Sequence, residues 1–196
     1  MTKNLLFVLV IAALAVPAGA LAQGKVSQKD KKKLEKPIKV LVQAVKYGKY
    51  DMVLKQLAVG DMAAEMCGKH WAKMSAADKK KFSDNLGTLL KQRFPKFKDQ
   101  LKYLSAVLFS QHKVQGKDRA SVKNTLVVHS KVYKKEYQLT WTLIKKGKKW
   151  QGLDLITVGK SFLVKMRDKQ IYPLVAKGGI KLVLQKMDAM IAKAKK

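Results

Sequence analysis

The chain has 196 residues but only one cysteine, Cys67, only three arginines and only three histidines, and it sets 13 acidic residues against 42 lysines and arginines. Each scarcity excludes something. A lone cysteine closes no intrachain disulfide, so the fold must stand on packing, and Cys67, inside an apolar helical pattern, reads as a small buried hydrophobe. Cys67 and His70 lie at i and i+3, but no second Cys/His pair completes a tetrahedral zinc site, so no metal or cofactor is expected. His129 and Asp154, on two predicted strands, are a candidate acid–base pair. No nucleophile or oxyanion motif accompanies them. The chain is therefore not read as an enzyme, and a small α+β hydrolase stays only as an alternative.

A phosphate-binding loop is excluded in the same way. Gly159-Lys160-Ser161 follows a predicted strand, but the motif needs a first glycine five residues before Gly159 so that successive N–H groups can curl around phosphate. Asp154 stands there, and its carboxylate would repel the ligand. No Pro- or Ser-rich linker and no repeat divides the chain, which holds only four prolines. One domain follows.

What the chain has is lysine. The opening "MTKNLLFVLVIAALAVPAGALAQ" places Lys3 before an apolar run from Leu5 to Val16, then Pro17 and the small residues Ala20 and Ala22. It reads as a secretory signal peptide over residues 1–22, cleaved after Ala22, because the apolar run is short of the roughly 20 residues of a spanning helix. Residues 23–196 then form the single domain, with a formal net charge of +28, one less than the +29 of the whole chain. Such a charge implies anionic surroundings. Readers of nucleic acid rely on arginine for bidentate contacts, and here only Arg93, Arg119 and Arg167 serve, so no nucleic-acid partner is expected. Spread lysine suits transient contact with anionic membrane surfaces. An exported cationic binder of nucleic acid or acidic polysaccharide is the second alternative.

Apolar periodicity predicts the elements. Leu34, Ile38, Leu41, Val42 and Val45 make one face of a helix over 28–47. A short helix is expected over 50–59, ending at Gly60, and a third from Asp61 as N-cap to about Trp71. Ser75 with Asp78 opens a further helix, interrupted or kinked at Pro95 and continuing through Phe97, Leu101 and Leu104. From about residue 106 the period becomes two. Strands are expected near 106–115, along 121–132, along 136–143 and, after a hairpin at Gly147, along 150–158. Two helices, about 160–176 and 180–194, flank Gly178-Gly179. The fold class is α+β, with a four-stranded antiparallel sheet wrapped by N-terminal and C-terminal helices.

The order "GKHWAKMSAADKKKFSDNLGTLLKQRF", then strands, then "KKWQGLDLITVGKSFLVKMRD" and "GGIKLVLQKM" resembles the MlaC family of phospholipid-binding proteins. The family pattern falls on Gly68, His70, Trp71, Ser75, Phe82, Trp150, Asp154, Gly159, Ser161, Arg167 and Gly179. Lys160, Phe162, Met166 and Lys169 depart from it, which bears on pocket lining and headgroup preference more than on fold. Gly159-Lys160-Ser161 becomes a strand-to-helix corner, Gly159 allowing the turn and Ser161 capping the helix.

The resemblance implies a monomeric periplasmic carrier that passes phospholipid between an outer-membrane lipoprotein complex and an inner-membrane ABC transporter complex, with the lipid as cargo. Two sixteen-carbon chains contain about 30 methylenes, and at ~0.8 kcal/mol each, unaided passage through water costs on the order of 20 kcal/mol. An apolar pocket between sheet and helices is expected. Its candidate lining is Phe94, Phe97, Leu101, Leu126, Val128, Tyr137, Leu139, Trp141, Leu153, Leu155, Phe162 and Met166, all of which are equally suited to an ordinary core. Lys91, Lys96, Lys98, Lys160 and Lys165 flank these segments and point to anionic phospholipids such as phosphatidylglycerol or cardiolipin.

Overall fold

Two serines set the long helices of the N-terminal half. In the computed structural model, which describes residues 26–130 and 132–194, Ser27 caps α1 (Gln28–Lys46) by accepting the Asp30 N–H at 3.1 Å. Ser75 caps α4 (Ala76–Arg93) by accepting the Asp78 N–H at 3.0 Å. In both, the serine hydroxyl also donates to the aspartate carboxylate, a reciprocal cap that satisfies an otherwise orphaned donor. The predicted signal peptide and its cleavage site lie outside the described residues.

The predicted stripe of α1 is buried, together with Pro37 and Ala44. It lies along the sheet: His112 Nε2 is 3.0 Å from Glu35 Oε1, and the Lys46 ammonium donates to the Leu104 carbonyl at 3.2 Å. After α4, Phe94 separates a second helix rather than a kink, because Pro95 occupies the first turn of α5 (Pro95–Leu101), where its missing N–H costs nothing.

Several helical boundaries differ from expectation: Leu104, expected on the helix after Pro95, opens the first strand instead, and the third helix ends at Cys67, short of Trp71. α2 (Tyr50–Lys55) stops four residues early, and α3 (Val59–Cys67) starts after Ala58, with Asp61 inside its first turn rather than at the cap. The reason is the sheet. The Gln56 carbonyl accepts the Gly152 N–H at 2.7 Å and the Ala58 N–H donates to the Gly152 carbonyl at 2.9 Å, so these backbone groups leave helix geometry to pair with a strand. Asp61 instead receives Lys146 at 2.8 Å. A 3-10 segment, Gly68–Lys73, carries the chain on to Ser75.

The sheet has five strands, not four, in the order β1-β2-β3-β4-β5: β1 (Leu104–Gln115), β2 (Arg119–His129), β3 (Lys134–Lys146), β4 (Lys149–Thr157) and β5 (Lys160–Ser161). The fifth arises where a helix start was expected. Val158 and Gly159 both have positive φ, 49° and 70°, the geometry of a tight hairpin turn, and this turn folds Lys160 and Ser161 back onto Thr157 and Ile156. Antiparallel register aligns Phe109, Asn124 and Leu139 in one row, His112, Val122, Trp141 and Leu155 in the next, and Val114, Ala120, Leu143 and Gly152 in a third. α1 covers this face, with Lys39 5.1 Å above the Phe109 ring.

The chain closes with α6 (Phe162–Met166), a π-helical turn (Arg167–Ile171) and α7 (Tyr172–Lys193), which breaks at Gly178-Gly179 as the two glycines predict. Gly179, at φ 66° and ψ −170°, adopts a conformation open only to glycine. The second half of α7 is tied to α4, Asn85 donating to Asp188 at 2.8 Å and Gln92 to the Ile191 carbonyl at 3.2 Å.

Two substitutions test this account. A Cβ on Gly152 would lie 3.1 Å from Leu57 Cδ2, so Gly152→Val should push the Gln56–Ala58 segment off the sheet and lower unfolding stability by about 2 kcal/mol. Val158 is β-branched in a left-handed turn, so Val158→Asn should raise stability by about 1 kcal/mol. Urea denaturation measures both.

Candidate functional site

Amphipathic helices without a partner sheet must bury their apolar faces against one another. α4, α5, α6, the π-helical turn and α7 do so incompletely, leaving an apolar cavity of about 370 Å³. Leu86, Leu89, Leu90, Phe94 and Phe97 line one side; Phe162, Met166, Ile171 and Leu174 line another; Val183, Met187 and Met190 close it, with Met66 beneath. Its polar lining is Arg93, Gln170 and Lys186, all exposed. The interior is therefore hydrocarbon, with two cations at the rim.

Of the residues predicted to line a pocket, the cavity takes Phe94, Phe97, Phe162 and Met166. It lies within the helical layer, whereas a space between sheet and helices was expected. α1 already covers the central rows of the sheet. Leu126, Val128, Trp141 and Leu153 are buried in the core, Leu101, Leu139 and Leu155 pack against it partly covered, and Tyr137 is 41% exposed. The residues missed, Leu86, Leu89, Met187 and Met190 among them, were visible as helical stripes with nothing to mark them as cavity lining. One signal was available: four of the eight methionines, Met66, Met166, Met187 and Met190, meet here, and unbranched thioethers adapt to guests of varied shape.

The corner at Asp154 aims α6 into this cavity. Asp154 Oδ1 accepts the N–H groups of Leu155 at 2.8 Å and Leu163 at 3.1 Å, while Oδ2 accepts the Ser161 hydroxyl at 2.5 Å. Ser161 in turn accepts the Val164 N–H at 3.0 Å as cap of α6. One carboxylate thus joins the end of β4 to the first turn of the helix that carries Phe162 and Met166. The same bonding commits Oδ1 twice and Oδ2 once to donors of the corner itself. His129 pairs with Lys134 and Asp154 with Thr142, roughly 25 Å apart along β3 at ~3.3 Å per residue, so the two do not form a catalytic pair.

A second corner gathers other motif residues. Gly68 has φ +51°, and a Cβ there would collide with the Tyr172 hydroxyl. His70 meets the Tyr172 ring edge-on at 5.2 Å, and Arg167 stacks 5.6 Å from its centre. Arg167 also donates to Asp168 at 2.8 Å, a bond that raises its pKa. Gly68, His70 and Arg167 therefore lock the 3-10 segment onto the start of α7. Among the described residues no group of three His, Cys, Asp or Glu side chains is placed to hold a metal ion. Burial pushes the Cys67 thiol up to about 12.

An antiparallel meander that supports a helical layer around an apolar, cation-rimmed cavity defines an α+β class of cavity-bearing proteins. The family model described as MlaC protein matches residues 25–189, and the chain belongs to the MlaC family. Among solved structures, a phospholipid-binding protein from Ralstonia solanacearum, in complex with a phospholipid, has the same fold: TM-score 0.67 at 13% identity, over 84% of this chain and 97% of that one. A cystatin-like protein from Ruminococcus gnavus aligns over 69% of this chain and 44% of its own, at 13% identity and TM-score 0.42. No curated protein matches the chain.

Replacing Asp154 with alanine strands three donors, so it should cost about 2–3 kcal/mol of stability; Ser161→Ala, which removes the cap and one of those bonds, should cost about 1 kcal/mol. Cys67, fully buried and with its thiolate disfavoured, should resist a thiol reagent at neutral pH until the protein unfolds. Denaturation curves and labelling with and without denaturant check these outcomes.

Proposed function

We propose that the chain is a periplasmic phospholipid carrier, the soluble component of an ABC transport system that moves lipid between the outer and inner membranes. The observation that carries this reading is the cavity: apolar within, cationic at its rim, in a member of the MlaC family. That the Ralstonia solanacearum neighbour was solved with a phospholipid supports the same cargo. Binding by burial of acyl chains calls for no catalytic group, and the proposal is of a binding protein that works as a monomer, meeting an outer-membrane lipoprotein complex and an inner-membrane ABC transporter complex in turn.

The volume says how the cargo fits. If a methylene takes about as much room as a water molecule, roughly 30 Å³, the cavity's 370 Å³ holds about a dozen methylenes. That is most of one acyl chain. A second chain must part the helices or follow the partly covered side chains Leu101, Leu139 and Leu155. The methionine lining suits the first course.

Purified protein never exposed to detergent should release phospholipid on solvent extraction, read by mass spectrometry; none would overturn the proposal. Met166→Asp, verified as folded by circular dichroism, should reduce the bound lipid at least about tenfold, because a charge buried beside hydrocarbon is costly. Normal loading of that folded variant, with loss in Leu139→Asp, would move the site to the sheet.

The rim and the surrounding lysines predict a preference for anionic lipid. Lys96, Lys98 and Lys160 stand on α5 and β5, next to the lining residues Phe97 and Phe162, although Lys91 is engaged by Asp51 at 2.7 Å. Each basic residue close to an anionic surface contributes roughly 1 kcal/mol within a Debye length. Transfer of labelled lipid should be faster from vesicles containing phosphatidylglycerol than from neutral vesicles, and the difference should shrink at high salt. Equal, salt-insensitive rates would assign the lysines to solubility or partner docking.

A further inference from the structure

At the end of the sheet remote from the cavity, the tips of the β1–β2 and β3–β4 hairpins and the first turns of α1 enclose a groove of about 700 Å³. The tips are joined, the Lys145 N–H donating to the Asp118 carbonyl at 2.7 Å, so the groove is part of the scaffold. Its lining combines Val114, Leu34 and Trp150 with the lysines Lys33, Lys117, Lys145 and Lys148. Asp30 is the one acidic residue in it, and that carboxylate is already held by the Ser27 hydroxyl at 2.7 Å and by Lys33 at 3.0 Å. Lys117, Lys145 and Lys148 carry no ion-pair partner among the described residues.

We propose that this groove docks an acidic segment of a partner protein, its carboxylates meeting Lys117, Lys145 and Lys148 and an apolar side chain meeting Trp150 and Val114. Charge complementarity names the partner's chemistry: three unpaired cations around an apolar floor attract a chain that alternates carboxylate and hydrocarbon. Shape decides against a bilayer. A flat anionic membrane engages convex, protruding side chains, whereas a concave groove between two hairpin tips and a helix engages a chain that enters it. Trp150 lies at the start of β4, whereas β5 returns Ser161 beside Ile156 and so leaves Phe162 level with about Leu155, roughly 17 Å from Trp150 along the strand. A partner held here leaves the cavity uncovered. This goes beyond the carrier reading and does not rest on it, since the groove is the same whatever the cavity holds.

The test is fluorescence anisotropy with a short fluorescein-labelled peptide alternating glutamate and leucine, on the full mature protein. Wild type should bind it at low salt and lose it as salt rises. The triple variant Lys117→Glu, Lys145→Glu, Lys148→Glu should bind about tenfold more weakly, three exposed pairs of under ~1 kcal/mol each being lost together, and each single variant about twofold. Lys177→Glu, Lys181→Glu, Lys193→Glu, a triple on α7 with the same change of net charge, should bind as wild type. Equal weakening by both triples would assign the binding to the diffuse field of the whole molecule and overturn the proposal. So would absence of peptide binding, or loss of phosphatidylglycerol vesicle binding by the groove triple with peptide binding intact, which would make this face a membrane contact.

Discussion

The helical layer depends on one carboxylate. Asp154 takes three donors, one from its own strand's next residue, one from a serine on the returning strand and one from the backbone of α6. A hydrogen bond to a charged acceptor is worth more than a neutral one, and three on one side chain leave it a single orientation. The direction in which α6 leaves the sheet is thereby set, and with it the positions of Phe162 and Met166 against α4 and α7. The cavity is what remains when helices aimed in this way cannot close on one another. Gly159 and the hairpin turn are needed for the same reason, since the returning Ser161 must reach a carboxylate seven residues earlier.

Much of this was legible in residue order. The change of period near residue 106, the serine–aspartate cap at Ser75, the corner at Gly159 and the break at Gly178-Gly179 are local properties, each set by a few neighbouring side chains, and each appears where the sequence places it. What was not legible was long-range. α2 ends early because Gln56 and Ala58 bond to Gly152, nearly a hundred residues away, and no local pattern announces that. The fifth strand needed a β-branched valine to accept positive φ, against its own preference. The cavity within the helical layer was not legible for a simpler reason: Leu139 and Leu86 are equally apolar, and only packing decides which of them faces a void.

The charge plays a separate part. Most acidic side chains are used structurally, as caps, corners or pairs: Asp30 and Asp78 at helix starts, Asp154 at the corner, Asp188 between α4 and α7, where bonds from Lys81 and Asn85 hold its carboxyl below the usual range. Too few are left to neutralise the lysines. The surplus is therefore a consequence of where the acids are needed as much as of how many cations there are, and it leaves both ends of the sheet positive.

The strand order places β1 and β5 at the two sides of the sheet, and they are very unequal. On one side, β5 and the backbone bonds from Gln56 and Ala58 occupy the outer groups of β4. On the other, β1 runs for twelve residues and pairs with one strand alone. A long strand of that kind is a template for a second copy, and proteins that keep such a strand guard it with charge. Two copies meeting β1 to β1 would bring together two flanks of a strongly cationic molecule, with Lys113 on the strand itself and Lys117 at its hairpin tip. The lysine excess thus doubles as protection against self-association, at the place where this topology is most exposed to it.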